Sequence, residues 1–411
     1  MKPFASIDEL LKQNRAGYTL PQNLYVSQEA FDFDTQVMLK SVWLYACTAA
    51  HVKKPGDYFL FELANNSVVI TRGRDGEIRA FYNTCTHRGA RLCEAQKGNM
   101  PRISCPYHFW TFGLDGKLIS ARGMPEGFDK AEHGLREVAL ENVGGLLFVC
   151  LSDNPPPIDR VKADVSEKLK LYNVDKLKVA AQSDLIDHAN WKLVMENNRE
   201  CYHCPSNHPE LLNSLSGDGF GKGNPEDGVA AGTTCSVDDQ VEKWTALGIP
   251  SDLVEFPDGW WHRIARIGLA NGALSQTLDG QPASKKLIWN IDHPEPTSLS
   301  IWTHPNSWHH FCCDHVISFS VLPIAPDQTL VRTTWLVHED AVEGVDYTVE
   351  NLTSVWNATN LQDRKLAELN HAGIATDGYR QGMYAEEENL VDAFKTFYVE
   401  RSAAALAAQQ R

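Results

Sequence analysis

No stretch of this 411-residue chain stays apolar long enough to form a membrane-spanning helix, and Met1 to Leu20 contains no signal-peptide core. The protein is therefore expected in the cytoplasm and away from membranes. Positive charge is also scarce, with 38 Lys and Arg against 53 Asp and Glu, a net charge of -15. Such a surface repels the phosphates of nucleic acids and anionic lipids, so neither is expected as a partner. Internal repeats and low-complexity tracts are missing too. The ten cysteines do not follow the regular spacing of a disulfide framework. Apart from Cys85 and Cys105, the eight others, Cys201 and Cys204 among them, are expected to be buried thiols, with Cys312 and Cys313 on opposite faces of a strand.

A content of 43% hydrophobic and 22% charged residues suits a chain that builds two cores. Residues 1–41 are predicted to form a helical arm, with Ile7, Leu10 and Leu11 on one stripe. Residues 42–153 change to short strands punctuated by glycine, among them Tyr58 to Phe61, Val68 to Ile70 and Leu146 to Val149. Pro155, Pro156 and Pro157 deny both helix and central strand, which makes a linker. Residues 158–411 are mixed. A helix is predicted near Asn190 to Cys204, strands between Leu287 and Val337, and helices over Asp346 to Leu369 and Glu386 to Leu406.

Two Cys-His pairs stand out in the strand-rich part: Cys85 with His87, and Cys105 with His108. Each follows a strand-like run and precedes a turn signal, Gly89 after the first pair and Pro106 within the second. Two thiolates and two imidazoles suit a [2Fe-2S] cluster of the Rieske type, in which sulfur holds one iron and nitrogen the other. A structural zinc site uses the same residue types, although zinc sites more often pair Cys with Cys and His with His.

A second constellation runs from Glu196 to Pro209. Glu200 and His203 are three apart, hence on one face of a helix, and Pro205 is predicted to end that helix and let His208 swing back toward His203. Two imidazoles and one carboxylate make the facial triad that binds non-heme iron(II) and leaves positions open for dioxygen. The candidate carboxylate is Asp363, on a predicted helix whose apolar stripe includes Val349, Leu352, Trp356 and Leu366. Spacing alone leaves Asp363 open to being a solvated helix residue. It also leaves open a second zinc site at Cys201, His203, Cys204 and His208, or a pair of core histidines.

Taken together, the segments Cys85-Thr86-His87-Arg88-Gly89, Cys105 to Phe112 and Asn197 to Glu210 resemble the oxygenase (alpha) component of Rieske non-heme iron oxygenases, from about Val42 to the C-terminus. Trp191 to Val194, Glu196 to His203 and Leu336 to Tyr347 resemble more closely the branch that demethylates betaines. The resemblance implies an α+β fold, with a small all-β Rieske domain and a larger helix-grip catalytic domain, an antiparallel sheet with helices. It implies Cys85, His87, Cys105 and His108 as cluster ligands and His203, His208 and Asp363 as ligands of a mononuclear iron. It gives Glu200 the part of the acid that bridges a cluster histidine and an iron histidine, across subunits of a homotrimer. Many ring-hydroxylating members have Asp there, one methylene shorter.

The implied reaction is hydroxylation of an N-methyl group of a quaternary ammonium betaine, with O2 and with electrons from a separate NAD(P)H-dependent flavin and iron-sulfur reductase. The N-hydroxymethyl product then releases formaldehyde and the demethylated amine. A quaternary ammonium offers no N–H, so aromatic faces are its natural receptor. The candidates are Tyr202, Trp260, Trp261 and Trp308, with Arg263 or His309 for the carboxylate, although any one of these aromatics also suits a core. The alternative activities are ring hydroxylation and O-demethylation of an aryl ether. A non-enzymatic alternative is a Rieske electron-transfer protein with a binding domain.

Overall fold

The computed structural model describes residues 4–215, 237–257, 259 and 261–409. It divides into two compact units, one of Lys40–Pro157 and one of Met1–Leu39 with Ile158–Arg411.

The larger unit begins with three short helices, α1 (Ala5–Lys12), α2 (Gln22–Val26) and α3 (Gln28–Phe33). α1 buries Ile7 and Leu11 along one stripe, as a period of 3.6 requires. Ser27 caps α3 by accepting from Ala30 N, and a π-turn over Asp34–Met38 follows.

The smaller unit holds ten strands: β1 (Leu44–Thr48), β2 (Asp57–Leu63), β3 (Asn66–Arg72), β4 (Ile78–Tyr82), β5 (Lys97–Asn99), β6 (Ile103–Ser104), β7 (Thr111–Phe112), β8 (Leu118–Ser120), β9 (Glu137–Val143) and β10 (Leu146–Cys150). Seven pair in the order β1-β10-β9-β4-β3-β2-β5, and β6-β7-β8 form a smaller sheet. Leu60, Val69, Phe81, Ile103, Trp110 and Phe112 lie in one buried cluster with Cys85 and Cys105, so the sheets share a core that reaches the two cysteines.

The larger unit resumes with α4 (Asp159–Leu169), β11 (Leu177–Asp187), α5 (Trp191–Asn198), α6 (Cys204–Asn207) and α7 (Val237–Ala246). Then come β12 (Val254–Glu255), β13 (His262–Gly268), β14 (Thr297–Thr303), β15 (Ser307–Phe311), β16 (Val316–Ala325) and β17 (Gln328–His338). Two long helices finish it, α8 (Val349–Ile374) and α9 (Asn389–Ala408). The strands make one antiparallel sheet in the order β11-β17-β16-β15-β14-β13-β12. The ring of His310 on β15 stacks on Trp356 of α8 at 4.9 Å, and Asn360 Nδ2 donates to Thr333 Oγ1 on β17. One face of the sheet thus lies beneath α8.

A buried polar hub ties the arm to the helices. Asp34 accepts from Trp191 Nε1 and Tyr398 OH, both at 2.9 Å, and pairs with Lys192 Nζ. The arm, α5 and α9 all meet at that carboxylate.

The helix predicted near Asn190 to Cys204 is two helices. α5 ends at Asn198, Glu200 lies in the connecting bend, and Pro205 occupies the first turn of α6. Proline is tolerated there because that N–H has no helical partner, so it begins a helix here where an end was predicted. β11, at the sheet edge, escaped the sequence reading. Cys312 and Cys313 lie in the turn between β15 and β16, where Cys312 N donates to His315 O, so strand alternation does not place them.

Candidate metal centres

The two Cys-His loops of the smaller unit have the same backbone shape. Cys85 N donates to Ala90 O and Gly89 N to Cys85 O; likewise Cys105 N donates to Trp110 O and Phe109 N to Cys105 O. The fourth residue after each cysteine takes a positive φ, 78° at Gly89 and 57° at Phe109. Glycine does this freely, whereas Phe109 carries strain of about 1–3 kcal/mol. The loops bring the rings of His87 and His108 to 4.8 Å between centroids. His87 is stacked on Trp110 at 4.6 Å, which fixes its plane.

Cys85 and Cys105 are buried side by side. Burial, with the neighbouring Cys105 thiol adding to it, pushes the Cys85 thiol up. Burial and the charges of His87 and Arg88 lower His108. His87 Nδ1 is buried with no hydrogen-bond partner. Two cysteines buried together beside an orphaned ring nitrogen fit a bound metal cluster, which takes thiolates and neutral imidazoles.

In the larger unit, α5, α6 and α8 bring three donors together. His203 Nε2 lies 3.0 Å from His208 Nε2 and 3.3 Å from Asp363 Oδ1, and His208 Nε2 lies 3.0 Å from the same oxygen. Three lone pairs this close repel unless a proton or a cation sits among them. Edges of this length are those of one face of an octahedron whose ligands stand roughly 2.1 Å from its centre. Asp363 remains 27% exposed, so the group is reachable from solvent.

The charges agree with that reading. Burial opposes the protonation of His203, but hydrogen bonds to Asp363 and Glu200 override it and bring the imidazole up to about 9. Burial likewise opposes ionisation of Asp363, yet the two imidazoles hold it below the usual carboxylate range. The site thus favours positive charge where a metal cation would bind.

The remaining ring nitrogens are engaged. His203 Nδ1 hydrogen-bonds Glu200 Oε1, and His208 Nδ1 lies 2.8 Å from Gln362 Oε1. Glu200 also accepts from the backbone N–H groups of Tyr202 and His203. Cys204 has a donor atom within 4.8 Å of those of His203 and His208, but its sulfur is bonded to that of Cys201. The expectation that these two are free thiols is corrected, and a four-ligand zinc site using both sulfurs is ruled out in this state.

The other sequence candidates separate. Register pairs Trp302 with Trp308 and Trp308 with Phe319, which places Trp308 and Arg263 on the α8 side of the sheet. His309 pairs with Ile301 and Ser318 on the opposite face, its Nδ1 2.8 Å from Ser318 Oγ. His310 takes the α8 side instead. Trp308 stacks on Phe319 at 4.6 Å, so one of its faces is already covered. Trp261 meets Phe397 and Arg401 of α9, and Tyr202 is 64% exposed. Trp260 lies outside the described residues.

Arg199 was missed by the sequence reading. It is fully buried, donates to Asn198 Oδ1, Ser307 O and His304 Nε2, and lies over Trp302 at 4.8 Å. These partners are neutral. Burial and neighbouring Arg263 lower it to about 9.

Comparison with known proteins extends this picture. The family description "Ring hydroxylating alpha subunit (catalytic domain)" matches residues 174–404, and "Rieske [2Fe-2S] domain" matches residues 42–138. The chain is 42% identical over 382 residues to the glycine betaine monooxygenase oxygenase subunit of Chromohalobacter salexigens, covering 92% of this chain and 84% of that one. It is 41% identical over 399 residues to the subunit of the same name from Pseudomonas aeruginosa, covering 96% and 91%. The crystal structure of the quaternary ammonium Rieske monooxygenase CntA in complex with an inhibitor superposes with a TM-score of 0.71 over 96% of this chain and 98% of that one, at 21% identity, a likeness of fold.

Proposed function

The chain belongs to the alpha subunits of the ring-hydroxylating Rieske non-heme iron oxygenases, whose cofactors are a [2Fe-2S] cluster and a mononuclear iron, and we propose that it is the oxygenase component of a betaine N-demethylase. The substrate class rests on one observation above the rest: identity of 41–42% to glycine betaine monooxygenase subunits over more than nine-tenths of the chain.

Cys85, His87, Cys105 and His108 hold the cluster, and His203, His208 and Asp363 hold the iron. When bound, these groups supply single electrons and the activation of dioxygen beside a substrate methyl. Glu200 receives the Nδ1 hydrogen of His203, orients that ring and, in a homotrimer, links it to a cluster histidine of the neighbouring subunit. The electrons come from a separate flavin and iron-sulfur reductase in the cytosol.

The substrate side follows from charge. A betaine carries a carboxylate and a quaternary ammonium, and the α8 side of the sheet offers Arg199 and Arg263 among the indoles of Trp302 and Trp308. The Arg199 guanidinium suits the carboxylate, with Arg263 beside it already 3.5 Å from Glu255 Oε1, and ring faces suit the methylated nitrogen. One oxygen atom enters a C–H bond of the methyl group and the other leaves as water, with two electrons and two protons taken up. The hydroxymethyl carbon then releases the amine as the C–N bond breaks, giving formaldehyde and a proton.

Formaldehyde release from a panel of quaternary amines and aryl ethers, with a surrogate flavin reductase, tests this reading. Release from glycine betaine or proline betaine supports it. Turnover of aryl ethers or aromatic acids alone would replace it.

A further inference from the structure

His208 turns Nε2 toward Asp363 and His203, while its Nδ1 faces Gln362 Oε1 at 2.8 Å. Gln362 Nε2 in turn lies 2.7 Å from Glu210 Oε2. A side-chain amide has an oxygen end and a nitrogen end that shape alone does not tell apart, so what fixes its direction matters. Glu210 fixes it. An ionised carboxylate only accepts hydrogen bonds, so Gln362 must turn its NH2 toward Glu210 and its oxygen toward His208.

That oxygen also only accepts. The imidazole must therefore carry its hydrogen on Nδ1, and a neutral ring has one hydrogen to place, which leaves Nε2 as a bare lone pair facing His203 and Asp363. We infer that Gln362, held in direction by Glu210, is the positioning residue that sets His208 in the tautomer able to bind the mononuclear iron. The inference rests on the assignment of His208 as an iron ligand. Neighbouring positions on a helix point roughly 100° apart, so one turn of α8 supplies both a ligand, Asp363, and the residue that prepares a second one. Without Glu210 the amide is free to reverse, offer N–H to Nδ1 and favour the tautomer whose Nε2 is blocked by hydrogen.

The test is equilibrium competition for ferrous iron against a soluble chelator, on the full-length protein with its cluster intact and the cluster's visible absorption as the control for folding. Gln362→Leu should weaken iron binding by about 10- to 100-fold, the usual effect of losing a partner behind a metal ligand. Glu210→Ala should weaken it in the same direction by less, although Glu210 does not touch the metal donors. The exchange Gln362→Glu with Glu210→Gln keeps an accepting oxygen toward His208 and a donor behind it, avoids two facing carboxylates, and should stay near the native affinity. Native affinity in Gln362→Leu or in Glu210→Ala overturns the inference. So does a loss in the exchanged pair as large as in Gln362→Leu, because the accepting oxygen is then not what matters. His208→Ala separates this from the assignment beneath it: full iron binding there removes His208 as a ligand, whereas loss there with native binding in Gln362→Leu removes only the role of Gln362.

Discussion

Asp34 and Lys192 form an ion pair with both side chains fully shielded from solvent. Asp34 also takes hydrogen bonds from Trp191 and Tyr398, so its acceptor capacity is well used. Desolvation lowers Lys192 while Asp34 raises it. Removing one partner leaves the other charge buried alone. Asp34→Ala is expected to destabilise the protein by about 3–5 kcal/mol in denaturant unfolding, whereas breaking an exposed pair such as Lys12 with Asp8 should change stability little.

Glu196 governs a pH dependence. Burial raises its carboxyl to about 7, against the opposing pull of the Tyr25 hydroxyl and Lys192, from an ordinary 4.5. Between those two values the folded chain keeps a proton that the unfolded chain has lost. Its contribution is therefore complete below about 4.5 and falls as pH rises toward 7. Glu196→Gln should flatten that part of the stability profile relative to the native protein. Parallel profiles for the two proteins would show that the carboxyl is ionised throughout.

Glu200 meets His203 through Oε1 and the backbone through Oε2. Glu200→Gln keeps an oxygen for Nδ1 but loses the charge. Iron content should hold while turnover with a chemical or enzymatic electron donor drops roughly 10- to 100-fold. Coupled turnover at the native rate would exclude the acid from electron delivery.

The cluster loops were legible because their information is local. Each cysteine, its histidine and the turn fall within six residues, and Gly89 marks one of the two positions needing positive φ. Phe109, at the other, gave no such signal. The triad was only half legible. His203 and His208 are close in sequence, but Asp363 is one acid among many on a polar helix, and resemblance singled it out.

What stayed hidden depends on contacts between distant segments. His309 and His310 are equivalent in sequence, and only strand register decides which faces α8; a slip of one residue exchanges them. Arg199 reads as a polar helix end until β14 and β15 bury it. Gln362 reads as helix surface until His208 and Glu210 arrive from the α6 region. Pro205 was read for its power to break helices, when its position in the first turn reverses the meaning.

Iron analysis with electron paramagnetic resonance on matched proteins tests the central claim most directly. The native chain should hold roughly three irons, two in a reducible cluster and one apart. Asp363→Ala and His208→Ala should each lose the single iron and keep the cluster signal, whereas Cys85→Ser should lose the cluster signal and keep the isolated iron. Zinc in place of iron, or full iron content in Asp363→Ala and His208→Ala alike, would contradict the account.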